Sequence, residues 1–240
     1  MNKVKFMFSD NFAPHQGKRS VKSIVIHYTG MRSLQSAVER LSSKKHQVSS
    51  HYLISRKGKI SQLVKDNNIA WHAGVSSWFS FTNLNKTSIG IELENKGHRY
   101  GYENFPHKQI SILIKLLKIL KKKFKVKNIN IVGHSDIAPD RKIDPGEKFP
   151  WKKLSQNDLS IWHSLDDKFI SNFRLKKIKI FNKKQILIMA KKLGYTRVFS
   201  GYGMDKNFAK AFQRRFRQQL VNGIFDQECY LILNNLQRFI

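Results

Sequence analysis

Three short runs rich in β-branched residues, SIVIHY (23–28), SIGIELEN (88–95) and NINIVGH (128–134), are separated by stretches with helical spacing. This interleaving restricts the fold more than any other feature, because strands that alternate with helices build a sheet covered by those helices. The first run ends at His27 and leads into the turn pair Thr29-Gly30. Ser33 is placed to cap a helix through about Lys45, with Leu34, Ala37, Val38 and Leu41 on one face. SHYLISRKGKISQLV (50–64) reads as a hairpin turning at Lys57-Gly58, which makes the sheet mixed rather than purely parallel. Pro106 opens a long amphipathic helix to about Phe124, its stripe formed by Ile110, Leu113, Ile114, Leu117 and Leu120. The fold class expected is α/β, a mixed central β-sheet flanked by helices.

Beyond about residue 165 the texture changes to three amphipathic patterns with no strand signal: Lys184 to Leu193, Lys206 to Phe216 and Asp226 to Leu236. Gly194, Gly201, Gly203 and Gly223 punctuate them. The organisation expected is a larger domain over 1–165, a linker over 166–177 and a small three-helix domain over 178–240.

Lys and Arg outnumber Asp and Glu by 45 to 16, so the net charge is +29 and attraction to a polyanion or an acidic surface is the default. The tracts KKKFKVK (121–127) and RLKKIKIFNKK (174–184) read first as solvated faces or linker. A nucleic-acid role would rest on charge alone, without zinc-finger spacing, and no nucleic-acid partner is expected. No run reaches the ~20 apolar residues that span a bilayer. No transmembrane segment is therefore expected, and the chain reads as soluble. Cys229, the single cysteine, cannot form an internal disulfide and reads as a small core residue.

The densest chemistry lies in GHSDIAPDRKIDPGEKFPW (133–151), where His134, Asp136, Asp140, Lys142 and Asp144 crowd a stretch held by prolines. Together with His27 at a strand end, His134 and Asp144 make two imidazoles and a carboxylate, the ligand set of a hydrolytic zinc site with one position open. Spacing alone favours a plainer reading, satisfied polar residues near strand ends, and the same set also serves non-haem iron. Glu92 and Glu94 share one strand face, and spacing does not choose between them as a base. Asp136 and Asp140 read as loop hydrogen-bonding and capping residues. Trp71 reads as core, while Trp78 reads as core or as a sugar-stacking ring.

Five stretches in order, IVIHYTG, VSSHYLISRKGKISQLV, AWHAGVSSW, LNKTSIGIELEN and GHSDIAPDRKIDPGEKFPW, span residues 24–151 and resemble the family 2 N-acetylmuramoyl-L-alanine amidases, the AmpD/AmiD type related to peptidoglycan-recognition proteins. The resemblance implies that His27, His134 and Asp144 bind zinc, that Glu92 is the general base orienting the attacking water, and that Lys142 steadies the oxyanion. His51 and His72, in SSHYL and WHAG, become candidates for lining the cleft and contacting substrate, with a hydrogen-bonded structural role as the alternative. The activity implied is hydrolysis of the amide between the lactyl group of N-acetylmuramic acid, or its anhydro form, and L-alanine of the stem peptide. The partners implied are peptidoglycan or muropeptides. A catalytically silent recognition module of the same fold would lack a ligand or the base, and neither is missing here. LGYTRVFSGYGMDKNFAKAFQRRF (193–216) and GIFDQECYLILNNL (223–236) resemble the three-helix peptidoglycan-binding domain, with basic residues where that pattern usually has an acidic or polar loop. A wall-binding or a plain stabilising role follows. The first favours the cell envelope or periplasm; cytoplasm is the alternative, because no signal peptide is visible.

Overall fold

The computed structural model describes residues 5–201 and 203–240; residues 1–4, at the start of the first expected domain, and Tyr202, inside the C-terminal motif stretch, lie outside the described residues. Six strands form one mixed sheet: β1 (Lys5–Phe6), β2 (Ser23–Tyr28), β3 (Tyr52–Ile54), β4 (Ile60–Gln62), β5 (Ser88–Leu93) and β6 (Ile131–Gly133), in the order β1-β4-β3-β5-β2-β6. β3 and β4 are the antiparallel hairpin expected around Lys57-Gly58, where Gly58 takes the left-handed conformation that a tight turn requires. The other pairs are parallel. The mixed α/β architecture read from the sequence is the one found.

Seven helices matter for the site: α1 (Leu34–Ser42), α2 (His107–Phe124), α3 (His134–Ile137), α4 (Asp167–Ser171), α5 (Lys183–Lys192), α6 (Lys206–Phe216) and α7 (Gln227–Leu236). Ser33 caps α1 as expected, but α1 stops at Ser42, and Lys44–His46 form a separate 3₁₀ turn.

Strand alternation decides what each face of the sheet receives. Ile24 and Ile26 of β2 join Ile89, Ile91 and the Ile110–Leu120 stripe of α2 in one core, while Val25 joins a second core on the opposite face. His27 follows Val25 on that second face and stands opposite Glu92 in the β2–β5 register. The second core is continuous with the C-terminal helices. Ile186 and Leu193, Phe208 and Phe212 of α6, and Ile232 and Leu233 of α7 pack in one cluster with Val25, Val132, Trp78 and Ile137. The stretch expected as a linker carries α4 and Arg174, whose guanidinium holds Glu228 through contacts of 2.7 and 2.8 Å. A two-stranded ribbon, Phe199–Ser200 with Gly203–Met204, is present where no strand was expected, since two-residue strands are too short to leave a period-two pattern. No helix among the described residues is long and apolar enough to cross a membrane.

One ion pair fastens the two cores. Asp136 Oδ2 accepts from Gly133 N–H at 2.7 Å, the expected loop bond, and also from Arg215 of α6 at 2.7 Å. Its Oδ1 accepts from the Tyr195 hydroxyl at 2.7 Å. Arg215 donates a further bond to the Ile131 carbonyl at 3.1 Å and lies 4.6 Å from the Trp151 ring centroid. Both charged side chains are buried, at 2% and 1% exposure. Removing one partner would leave an uncompensated buried charge, so Arg215→Ala is expected to lower the unfolding free energy by about 3–5 kcal/mol in denaturant titration. Arg197→Ala, which deletes the exposed pair with Asp140, should cost at most about 1 kcal/mol.

Candidate metal centre and catalytic cleft

The parallel strands β2, β5 and β6 end at one edge, and the candidate site lies there, as is usual for ligand sites in open α/β sheets. His27 comes from β2, Glu92 from β5 and His134 from the first residue of α3 directly after β6. The loop after α3 returns Asp144 to the same point, tied by a bond from Ser135 N–H to the Asp144 carbonyl at 2.9 Å. Nδ1 of His27, Nδ1 of His134 and Oδ2 of Asp144 stand 3.0, 3.0 and 3.1 Å from one another, all three residues being buried.

The hydrogen bonds behind the two imidazoles fix which nitrogens face inward. His134 Nε2 lies 3.1 Å from the Ala73 carbonyl, which can only accept, so that nitrogen carries the proton and Nδ1 presents a lone pair. For His27 the assignment runs through three residues. Ser88 Oγ donates to the Leu84 carbonyl at 2.6 Å, so it accepts from His72 Nε2 at 3.1 Å. His72 Nδ1 is then the acceptor for His27 Nε2–H at 3.0 Å, which leaves His27 Nδ1 unprotonated. Burial, with His134 beside it, pushes His27 down to about 4, so its ring is neutral near pH 7. Three Lewis-basic atoms therefore face one another, a set that a shared divalent cation satisfies.

The surrounding cleft has a volume of about 320 Å³ and is lined by His27, Tyr28, Trp71, His72, Glu92, Arg141 and Lys142 among others. Glu92 Oε2 is buried without a hydrogen-bond partner, and burial, then the charge of Asp144, raises its carboxyl to about 8 against the opposing effect of Lys142. Glu94 differs, because its Oε2 already accepts from Arg56 N–H at 2.8 Å. The two carboxylates of one strand face are thus distinguished by the β3–β4 hairpin, which occupies one and leaves the other open.

The remaining candidates separate by position. His72 lines the cleft and orients His27. His51 is fully buried, accepts Gly90 N–H at Nδ1 (3.0 Å) and sits behind His72, so it lies beneath the cleft rather than in its wall. Gly90 leaves room for His72, since a Cβ there would meet His72 Cγ at 2.5 Å. Trp71, expected in the core, is half-buried and lines the cleft, whereas Trp78, read as core or as a sugar-stacking ring, lies in the core at 2% exposure. Trp71 N–H bonds Ser49 Oγ beside the cleft, while Trp78 packs against Gly194 and Tyr195 of the C-terminal region. Arg141 was not singled out from the sequence. It donates to the Ala73 and Val75 carbonyls and so holds the loop whose Ala73 carbonyl sets the His134 tautomer. Those partners lie 66 and 68 residues away and are backbone atoms, so no local pattern marks it.

Residues 17–147 match the family described as N-acetylmuramoyl-L-alanine amidase. By sequence the chain is similar to N-acetylmuramoyl-L-alanine amidase AmiD of Escherichia coli K12, 36% identical over 239 residues, which covers 90% of this chain and 82% of that one. By structure it is similar to AmiD from E. coli in complex with the substrate anhydro-N-acetylmuramic acid-L-Ala-D-γ-Glu-L-Lys (TM-score 0.76, 35% identity, 93% of this chain and 91% of that chain). It is also similar to AmpDh3 from Pseudomonas aeruginosa in complex with anhydromuramic pentapeptide (TM-score 0.79, 30% identity, 93% and 94% covered).

If His72 orients His27, then Gly90→Ala, which displaces the His72 ring, and His72→Phe, which keeps a ring but removes both hydrogen bonds, should each weaken metal binding by about 10–100-fold. Competition with a chromogenic chelator measures this independently of turnover.

Proposed function

The chain belongs to the N-acetylmuramoyl-L-alanine amidase family, and from that premise we propose that zinc held by His27, His134 and Asp144 serves hydrolysis of the amide between the lactyl group of N-acetylmuramic acid, or its anhydro form, and L-alanine of a peptidoglycan stem peptide. The observation that carries this reading is the cluster of three inward-facing donor atoms opening on a cleft beside a buried, unpartnered carboxyl oxygen. Two imidazoles and one carboxylate leave a fourth position free, which is the composition of catalytic rather than structural zinc sites. When bound, the ion supplies Lewis acidity, polarising a carbonyl and making water nucleophilic at neutral pH.

The chain's own residues do the rest. Glu92 takes a proton from the attacking water and returns it to the departing L-alanine nitrogen. Its carboxyl is raised mainly by burial and by the anionic Asp144, and a divalent charge on the same ligands opposes the Asp144 field and favours the ionised base. Lys142 lines the same cleft, where its ammonium can offset negative charge growing on the lactyl oxygen. His72 and Arg141 touch no reacting atom in this scheme; they hold His27, and the Ala73 carbonyl behind His134, in place. Trp71 and Tyr28 give the cleft an aromatic wall suited to a sugar ring.

Peptidoglycan fragments are the ligand this reading names, and the carboxylates of a stem peptide are attracted by a chain of net charge +29. For residues 178–240 the shared core supports the stabilising role.

Chelation should abolish release of stem peptide from an anhydromuropeptide, followed by mass spectrometry, and added zinc should restore it. His27→Ala, His134→Ala and Asp144→Ala are expected to lose metal and turnover together. Glu92→Gln should retain metal while kcat falls about 10²–10⁴-fold, and Glu94→Gln should stay within severalfold of the parent. Full turnover in Glu92→Gln would overturn the assignment of the base.

A further inference from the structure

Between Asp167 and Asp205 the chain carries ten Lys or Arg and no Asp or Glu, and the centre of this span, residues 174–184, reads RLKKIKIFNKK. Its backbone is pinned. Leu175 N–H donates to Asp226 Oδ2 at 2.9 Å, Lys179 N–H to Gln227 Oε1 at 2.9 Å, and the Lys176 carbonyl accepts from Gln227 N–H at 2.9 Å. The nearby carboxylates, Asp226 and Glu228, are buried and matched internally by Arg217 and Arg174, so they do not offset the outward lysines.

The side chains on this fixed backbone go the other way. Leu175, Ile180 and Phe181 are exposed by 62%, 80% and 52%, interleaved with exposed Lys176, Lys177, Lys179 and Lys184. Leu175 has φ 63°, a left-handed conformation that glycine or asparagine adopts at lower cost, and it holds an apolar side chain in water rather than in a core. Ile188, 47% exposed, continues the apolar set beside Lys184 and Lys192 on α5.

A soluble polyanion would engage the lysines and gain nothing from leucine, isoleucine and phenylalanine. A bilayer containing anionic lipid engages both, because the apolar side chains enter the boundary of the acyl region while the lysine stems let the ammonium groups stay with the phosphates. We propose that residues 175–184 are a membrane-surface contact by which the enzyme adsorbs peripherally to an anionic bilayer.

The test is co-sedimentation of the full chain with vesicles at about 0.1 M salt, where charges beyond about 10 Å are screened. Binding is expected to phosphatidylcholine vesicles with about one third phosphatidylglycerol and not to phosphatidylcholine alone. Ile180→Ser with Phe181→Ser should weaken it about tenfold or more, and Lys177→Ser with Lys179→Ser by roughly thirtyfold. Lys118→Ser with Lys122→Ser, exposed lysines on α2, should change it less than about twofold. Each variant's thermal transition and its turnover of soluble muropeptide report folding. Absence of binding to the anionic vesicles would overturn the proposal, as would an unchanged affinity in the 180/181 variant, which would indicate a charge-only surface for a soluble polyanion such as polyglutamate. An equal loss in the Lys118/Lys122 variant would overturn it too, by making the attraction a property of the whole surface.

Discussion

Three electron-rich atoms that repel one another are held at about hydrogen-bond distance in a buried site, and the surrounding structure is organised to keep them there. Each of the three atoms is fixed from behind by a group that is not itself one of the three. The Ala73 carbonyl sets His134, the His72–Ser88–Leu84 relay sets His27, and the Ser135–Asp144 backbone bond closes the loop that supplies the carboxylate. Such second contacts determine tautomer and orientation, so the three donor atoms are held facing one another.

The same demand reaches the C-terminal helices. Asp136 lies two residues past His134, in the single turn of α3, and its carboxylate is clamped by Arg215 and Tyr195 from the far side of the second core. A buried arginine–aspartate pair is a poor source of stability compared with an apolar contact of the same volume, because desolvation opposes the attraction. Its contacts here are positional: Arg215 of α6 bonds the Ile131 carbonyl of β6 and the Asp136 carboxylate in the turn that begins with His134. The C-terminal helices therefore support the site from below even though they supply none of the cleft residues named here.

Strands, long helices and the hairpin were readable because their signals are local. A β-branched run in SIVIHY, a period of two in SIGIELEN, a stripe in residues 106–124 and a Lys-Gly turn each need only their own window. The three C-terminal helices fell within a residue or so of the expected patterns for the same reason. The centre was readable only in part. His27 lies 107 residues from His134 and 117 from Asp144, and no periodicity connects such distances; motif likeness did. Residues one step removed from the chemistry left weaker traces. Arg141 acts on backbone carbonyls of a distant loop, His72 was visible only as part of WHAG, and the partners of Trp78 arrive from another part of the chain.

Charge connects these layers. The acidic residues with the firmest partners, Asp136, Asp226 and Glu228, lie inside against arginines, while most lysines lie outside. Internal pairing withdraws arginines together with these carboxylates, so the surface keeps the excess of +29 that the composition sets and is strongly cationic. Self-repulsion at this net charge disfavours compactness, and the two larger apolar cores among the described residues, one on each face of the sheet, oppose it. The cationic surface then acts over a Debye length on any anionic partner, whereas the apolar side chains of residues 175–181 act only in contact. A solute bearing a few carboxylates can exploit the first effect alone. An extended anionic interface can exploit both, which is why the two kinds of ligand should differ in their response to salt: the first is weakened throughout, and the second keeps a residual component set by Leu175, Ile180 and Phe181.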